Sequence, residues 1–119
     1  MIKFKHVFFL LVCVFISGCS TTYKNLTAKM PDLALRTDGT YRGIYDLSGT
    51  PVKVTLDVTV QNQKITGIKI IKHSGSPIGK KAEKITDQII ANQSLDVDVI
   101  TGATASSKSI IKAVENALQ

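Results

Sequence analysis

"PVKVTLDVTVQNQKITGIKIIKH", Pro51 to His73, is the stretch that decides the fold of this chain. Val52, Val54, Leu56, Val58 and Val60 fall on alternate positions, with Lys53, Thr55, Asp57 and Thr59 between them. A strand points successive side chains to opposite faces, so this alternation predicts a strand with one buried face. Pro51 suits the first strand position, where no ladder N–H is needed. "QNQK", Gln61 to Lys64, reads as a turn. "KITGIKIIKH", Lys64 to His73, is rich in β-branched residues and reads as the returning strand of a hairpin.

The neighbouring segments extend this hairpin into a domain. Upstream, "DGTYRGIYD" opens with the turn pair Asp38-Gly39, and Tyr41, Gly43 and Tyr45 alternate with Arg42 and Ile44, which predicts a short strand. "LSGT", residues 47–50, is a loop. Downstream, in "PIGKKAEKITDQIIANQ", residues 77–93, Ile78, Ala82, Ile85 and Ile89 recur at helical spacing. Ser76 is the expected N-cap of that helix and Pro77 its first residue. "LDVDVI", residues 95–100, alternates and is expected to be a short extended strand. "SSKSIIKAVENAL", residues 106–118, carries Ile110, Val114 and Ala117 on one stripe, joined by Ile111 and Leu118. No internal repeat or low-complexity segment interrupts this order. The expected class is α+β: a small, mostly antiparallel sheet with two helices packed on one face.

The chain opens with "MIKFKHVFFLLVCVFISGC". Lys3 and Lys5 precede an apolar run from Val7 to Ile16, then Ser17, Gly18 and Cys19. That is the layout of a secretory signal peptide, with an apolar run too short for a confident transmembrane helix. "ISGC" resembles a bacterial lipobox, which implies cleavage before Cys19 and diacylation of its thiol. The expected organisation is a lipoprotein signal peptide at 1–18, a lipidated cysteine and tether at 19–37, and a domain at 38–119. Leu33 and Leu35 are the tether residues able to pack on that domain. The expected location is outside the cytoplasm, at the cell surface or on the periplasmic side, with membrane lipid held through Cys19.

Processing of this kind removes Cys13 and leaves Cys19 to the lipid. No thiol then remains for a disulfide or a metal. Removing Lys3 and Lys5 from the 15 basic residues leaves 13 against 9 acidic ones, a modest +4. The mature part holds Tyr23, Tyr41 and Tyr45 but neither Trp nor Phe, so a basic stripe interleaved with stacking aromatics, the footprint of nucleic-acid binding, is missing. A Ser-His-Asp set, paired carboxylates or a metal cluster is likewise not evident, and the mature part has a single histidine. A stand-alone enzyme is therefore not expected.

The remaining signal is "TGATASS", residues 101–107: seven small residues, four with hydroxyls, directly ahead of the last helix. One reading is helix capping, by Ser106 or Ser107, with Gly102 in the turn. The other is an anion site, because small residues let a phosphate reach the backbone and a helix N-terminus offers unpaired N–H groups. The loop lacks the GxxxxGK[ST] pattern of a P-loop. Composition leaves both readings open.

"DVITGAT", Asp98 to Thr104, resembles the flavinylation motif of the FMN-binding domain family: Asp, two variable residues, Ser or Thr, then Gly-Ala-Thr. Asp98, Thr101, Gly102, Ala103 and Thr104 occupy the fixed positions. "DGTYRG", the hairpin, "IIANQS" and "SKSIIKAVENAL" also follow the family's order, over roughly residues 38 to 118. The resemblance implies FMN as the cofactor and Thr104 as its attachment residue. A flavin transferase outside the cytoplasm, using Mg²⁺, would take the FMN moiety from FAD and esterify its phosphate to the Thr104 hydroxyl. Gly102 and Ala103 would keep the loop slim enough to enter the transferase. Asp98 and Thr101 would shape the loop or aid recognition, and Ser106 and Ser107 would lie beside the phosphate at the helix start.

Carrying FMN, the lipoprotein would be an electron carrier between donor and acceptor proteins that the sequence does not name, or a subunit of a reductase. Two alternatives stay open here: a module that binds flavin noncovalently, and a flavin-free structural or interaction lipoprotein. His73 is either a solvated strand end or a residue near the isoalloxazine edge. The family commonly has an acidic residue and Thr after this histidine, whereas this chain has Ser74 and Gly75. Ile78, Gly79 and Ala82 either line the flavin or pack the helix. Lys80 and Lys81 read as solvated, and Tyr41 and Tyr45 as ordinary strand residues.

Overall fold

The computed structural model describes residues 26–75 and 79–119. The signal-peptide and lipidation expectations centred on Cys19, and those on Ser76, Pro77 and Ile78, lie outside the described residues. Strands β1 (Gly39–Asp46), β2 (Lys53–Gln61) and β3 (Lys64–Ser74) form an antiparallel sheet in the order β1-β2-β3. Two helices, α1 (Ile85–Asn92) and α2 (Thr104–Leu118), follow. The expected α+β architecture is the one found, with α2 against β1 and β2, and α1 against β3.

The β2 alternation translates directly into burial. Val54, Leu56, Val58 and Val60 have no exposed surface, and Val52, just before the strand, keeps 8%. Burying an aliphatic side chain contributes about 1.5–3 kcal/mol, so this face drives the assembly. From the helices, Ala82, Ile85 and Ile89 meet it on one side, and Ile110, Val114, Ala117 and Leu118 on the other. Asn62 and Gln63 close the β2–β3 hairpin with φ of 52° and 62°. Positive φ at both central residues gives a two-residue turn the twist that paired strands require.

β3 does not alternate cleanly. Its register against β2 shifts twice, between Thr59 and Val60 and between Thr55 and Leu56, which leaves Thr66 and Ile71 as extra residues. Each bulge reverses the in-out parity of the residues beyond it. Ile65, Ile68 and Ile70 therefore stand opposite Val60, Val58 and Leu56, and His73 stands opposite Val54 on the buried face. Ile71 is left 44% exposed.

Two expectations are corrected. "LDVDVI" is not a strand: Leu95 is buried and Val97 and Ile100 pack on the core, but the Ile100 N–H goes to Ser107 Oγ at 3.0 Å, and the Asp96 N–H to Ser94 Oγ at 3.0 Å. Side chains, not a ladder, take up those two amides. Residues 79–93 are not one continuous α-helix: Gly79–Lys84 is a 3₁₀ helix that leads into α1. α1 ends on Gln93, at φ 50°, whose side chain accepts from the Ile65 N–H at 2.8 Å and donates to the carbonyls of Ile65 and Ile90 at 2.7 Å. The end of the expected tether packs on the domain, as Leu33 allowed. Residues 26–36 are a strap packed along α2. The Arg36 Nε donates to the Leu118 carbonyl at 2.7 Å, Leu33 is buried in the core, and the Lys29 N–H donates to the Glu115 carboxylate. Leu26 to Met30 then border a groove of about 470 Å³ with Ser94–Val97, Val99, Lys108 and Ile111. Leu35 stays 84% exposed.

Glu115 is itself buried. Burial pushes its carboxyl up, but the hydrogen bonds from Lys112 and from the Lys29 amide outweigh that and hold it below the ordinary range. β1 lies unusually close to α2. A Cβ built on Gly43 would come within 1.9 Å of the Ala113 carbonyl oxygen, so only glycine permits this approach.

Candidate functional site

The chain reaches α2 through a tight turn. The Ala103 N–H donates to the Ile100 carbonyl at 2.9 Å, which places Thr101 and Gly102 at the exposed tip. Gly102 has φ of +82° with open space around it, so the position calls for glycine on conformational grounds rather than for room. Ala103 is buried and occupies the N-cap position of α2 with no side-chain cap. Helix starts leave their first N–H groups without intrahelical partners. The amides of Thr104, Ala105 and Ser106 accordingly have no acceptor among the described residues.

Neither serine caps the helix, which begins at Thr104, ahead of both. Ser107 reaches back instead: its hydroxyl donates to the Ala103 carbonyl at 2.7 Å and accepts from the Ile100 N–H at 3.0 Å, which staples the turn. Ser106 turns the other way, and its Oγ lies 3.3 Å from His73 Nε2. The Thr104 hydroxyl is half-buried and makes no hydrogen bond to any other described residue.

A cavity of about 340 Å³ opens at this helix start, lined by Val52, Gly79, Gly102, Ala103, Thr104, Ala105 and Ser106. That volume lies within the range of small-ligand sites. The loop before β2, the 3₁₀ segment and the α2 N-terminus converge here. Gly79 packs so closely that a Cβ there would come 2.5 Å from Ser106 Oγ. The cradle thus combines an alcohol and amides that bond no other described residue, at the positive end of a helix dipole, with a wall stripped of side-chain bulk. That donor set fits the phosphate end of a nucleotide.

His73 is not a solvated strand end. Its side chain is 2% exposed, with Nδ1 3.2 Å from Glu83 Oε1 and Nε2 against Ser106. The carboxylate that the sequence lacks beside His73 arrives from the 3₁₀ segment ten residues on. Sequence reasoning misses Glu83. The signal that finds it is the bulge at Ile71, which turns His73 inward, and no residue pattern marks that bulge. Asp98 is exposed and has no side-chain partner among the described residues. Neither it nor Thr101 lines the cavity. Ala82 is wholly buried and packs the core, while Lys80 and Lys81 are exposed. Among the described residues there is no cluster of ligands able to hold a metal.

Comparison with known proteins bears on this geometry. A family model described as an FMN-binding domain matches residues 48–119. A protein of Treponema pallidum (strain Nichols), described as uncharacterized, is 38% identical over 81 residues, which is 65% of this chain. The match spans only 22% of that relative's length.

Proposed function

The chain belongs to the FMN-binding domain family, and from that premise we propose that it is a lipid-anchored electron carrier outside the cytoplasm, with FMN joined through its phosphate to Thr104. FMN is its cofactor. One observation carries the covalent reading: Thr104 ends the motif "DVITGAT", and its hydroxyl, which bonds no other described residue, lines the cavity at a helix N-terminus without a side-chain cap. In the transfer step the Thr104 oxygen attacks the phosphorus of the FMN moiety in FAD. The bond from that phosphorus to the AMP moiety breaks, AMP leaves, and the hydroxyl proton passes to the transferase or to solvent.

Each part of the chain has a role in this reading. Gly102 and Ala103 let the loop be grasped. The amides of Thr104 to Ser106 hold the phosphate against the helix dipole. Val52 and Gly79 shape the wall. The bound flavin supplies the reversible redox chemistry, while the protein positions and tunes it. A covalent ester keeps the cofactor from being lost outside the cell. No helix among the described residues is long and apolar enough to cross a membrane. The anchoring part of the proposal therefore rests on "ISGC" and Cys19.

Intact mass of the full chain, produced with and without an active flavin transferase, tests the attachment. We expect a transferase-dependent gain of FMN less one water, absent from Thr104→Val. Bound flavin without the mass gain assigns the chain to the noncovalent class, and a colourless protein with an active transferase removes the flavin-carrier role. Detergent phase partitioning of the chain, compared with Cys19→Ser, tests the anchor.

A further inference from the structure

Behind the Thr104 cavity lies a polar chain to which the ester gives no task. The His73 side chain is almost wholly buried, and both ring nitrogens are engaged, Nδ1 by Glu83 at 3.2 Å and Nε2 by Ser106 at 3.3 Å. A buried imidazole is costly, and its neighbours across and along the same face, Val54, Ile68 and Ile70, are aliphatic. Packing alone would be served as well by an aliphatic residue at this position.

The hydrogen positions are set by the partners. A carboxylate only accepts, so Nδ1 carries a hydrogen. In the neutral ring Nε2 has only a lone pair, and the Ser106 hydroxyl must donate to it. The Ser106 oxygen then offers only lone pairs to the cavity it lines. A second proton on the ring reverses this. Nε2–H donates to Ser106, and the hydroxyl hydrogen is freed for an acceptor in the cavity. A phosphate oxygen is such an acceptor, and charge-assisted hydrogen bonds are roughly twice as strong as neutral ones.

We propose that Glu83, His73 and Ser106 form a relay that couples a proton on His73 to the FMN phosphate at the start of α2. His73 is a positioning residue acting through Ser106, whose hydroxyl turns from the ring to the phosphate when the phosphate is present. The proposal rests on the FMN reading of this site. Glu83 is the charged group in contact with the ring. The other charges on surrounding elements are Lys80, Lys81 and Lys84 on the 3₁₀ segment, Asp87 on α1, and on α2 the half-buried Lys108 with the Lys112–Glu115 pair further along. Lys53, Asp57, Lys69 and Lys72 stand on the outward face of the sheet.

The test is NMR of the full chain labelled with ¹⁵N-histidine, across about pH 5 to 8 where imidazole titrates. Samples are free of flavin, loaded with FMN by an active flavin transferase, or free of FMN and saturated with riboflavin, which lacks the phosphate. His73→Gln separates the signals from those of His6. We expect FMN to raise the titration midpoint of His73 by about one pH unit, a tenfold gain in proton affinity. Riboflavin should leave it in place. Ser106→Ala should abolish most of the shift while FMN stays bound, and Ser106→Thr, which keeps the hydroxyl, should restore it. A midpoint indifferent to FMN, or a shift that survives Ser106→Ala, overturns the relay. Flavin absorbance of the same samples separates the two failures. FMN carried without a shift refutes the relay alone, and a chain that takes up no FMN from an active transferase refutes the FMN reading of the site and the relay with it.

Discussion

Replacing Gly43 by alanine places a methyl group where the backbone of α2 already lies. The added Cβ would sit 1.9 Å from the Ala113 oxygen, 2.9 Å from its carbonyl carbon and 2.9 Å from the Ala117 Cβ. None of these is the free end of a flexible side chain. To restore tolerable contact, α2 must retreat from β1 by about 1 Å. A gap of that size forfeits roughly a quarter to a half of each dispersion contact along the interface. α2 buries Ile110, Val114, Ala117 and Leu118 there, all within 5% of full burial. Overpacking ordinarily costs about 1–3 kcal/mol, and a rigid backbone obstacle belongs at or above the top of that range. We expect a loss of about 3 kcal/mol or more, a large part of the roughly 5–15 kcal/mol that holds a domain together.

Urea unfolding followed by circular dichroism measures this loss, with Gly67→Ala as the control. Gly67 lies on the same sheet, but its nearest neighbours, the Cβ and Oγ1 of Thr59, are 3.8 Å from an added Cβ. The control should change stability by no more than about 0.5–1 kcal/mol, in the stabilising direction. If Gly43→Ala unfolds within about 0.5 kcal/mol of the unaltered chain, the α2–β1 contact does not have the rigidity argued for it.

Gly79→Ala directs its methyl at Ser106 Oγ, a side-chain end able to rotate, so stability should fall by only about 1 kcal/mol. FMN loading, read by flavin absorbance, should fall far more than the urea midpoint does. Gln63→Gly should raise stability by about 0.5–1 kcal/mol in the same urea assay, because residue 63 has φ of 62° and Asn-Gly is the favoured pair for such a turn. Glu115 is held below the ordinary carboxyl range, so its contribution is present above the unfolded-state value and is lost as pH falls through the lower folded value. Acid unfolding monitored by circular dichroism should therefore be less steep in Glu115→Gln. Proteolysis within residues 26–36 should also speed up in the unaltered chain as pH falls below the ordinary carboxyl range.

The fold was legible where a single period governs a segment. β2 alternates without interruption and α2 carries one stripe, so burial alone sets both. Legibility ended where local backbone geometry overrides period. Two bulges in β3 decide that His73 faces inward, and a bulge inserts a residue without requiring a distinctive one. "LDVDVI" alternates because Leu95, Val97 and Ile100 touch the core, but alternation reports burial and says nothing of a pairing partner. Ser106 and Ser107 are good capping residues by type. The helix starts before them because the turn at Thr101-Gly102 delivers the chain early, and each hydroxyl finds a partner elsewhere. The family resemblance singled out Thr104 from sequence, whereas Glu83 came to light only through His73.

The strap has a bearing on how the domain would stand in its surroundings. It runs along α2 from Leu118 through Glu115 and then, at Leu26 and Thr27, borders the groove that Lys108 and Val99 share. Lys108 is one helical turn from Thr104, so the chain leaves the body near the end that would carry the flavin rather than the far end. If Cys19 is lipidated as proposed, six residues separate it from Leu26, a leash of at most about 25 Å. The molecule would then have a fixed underside with the flavin close to the lipid. Its natural correspondents would be redox centres at the membrane surface, within reach of a short pivot and out of reach of anything deep in the surrounding fluid.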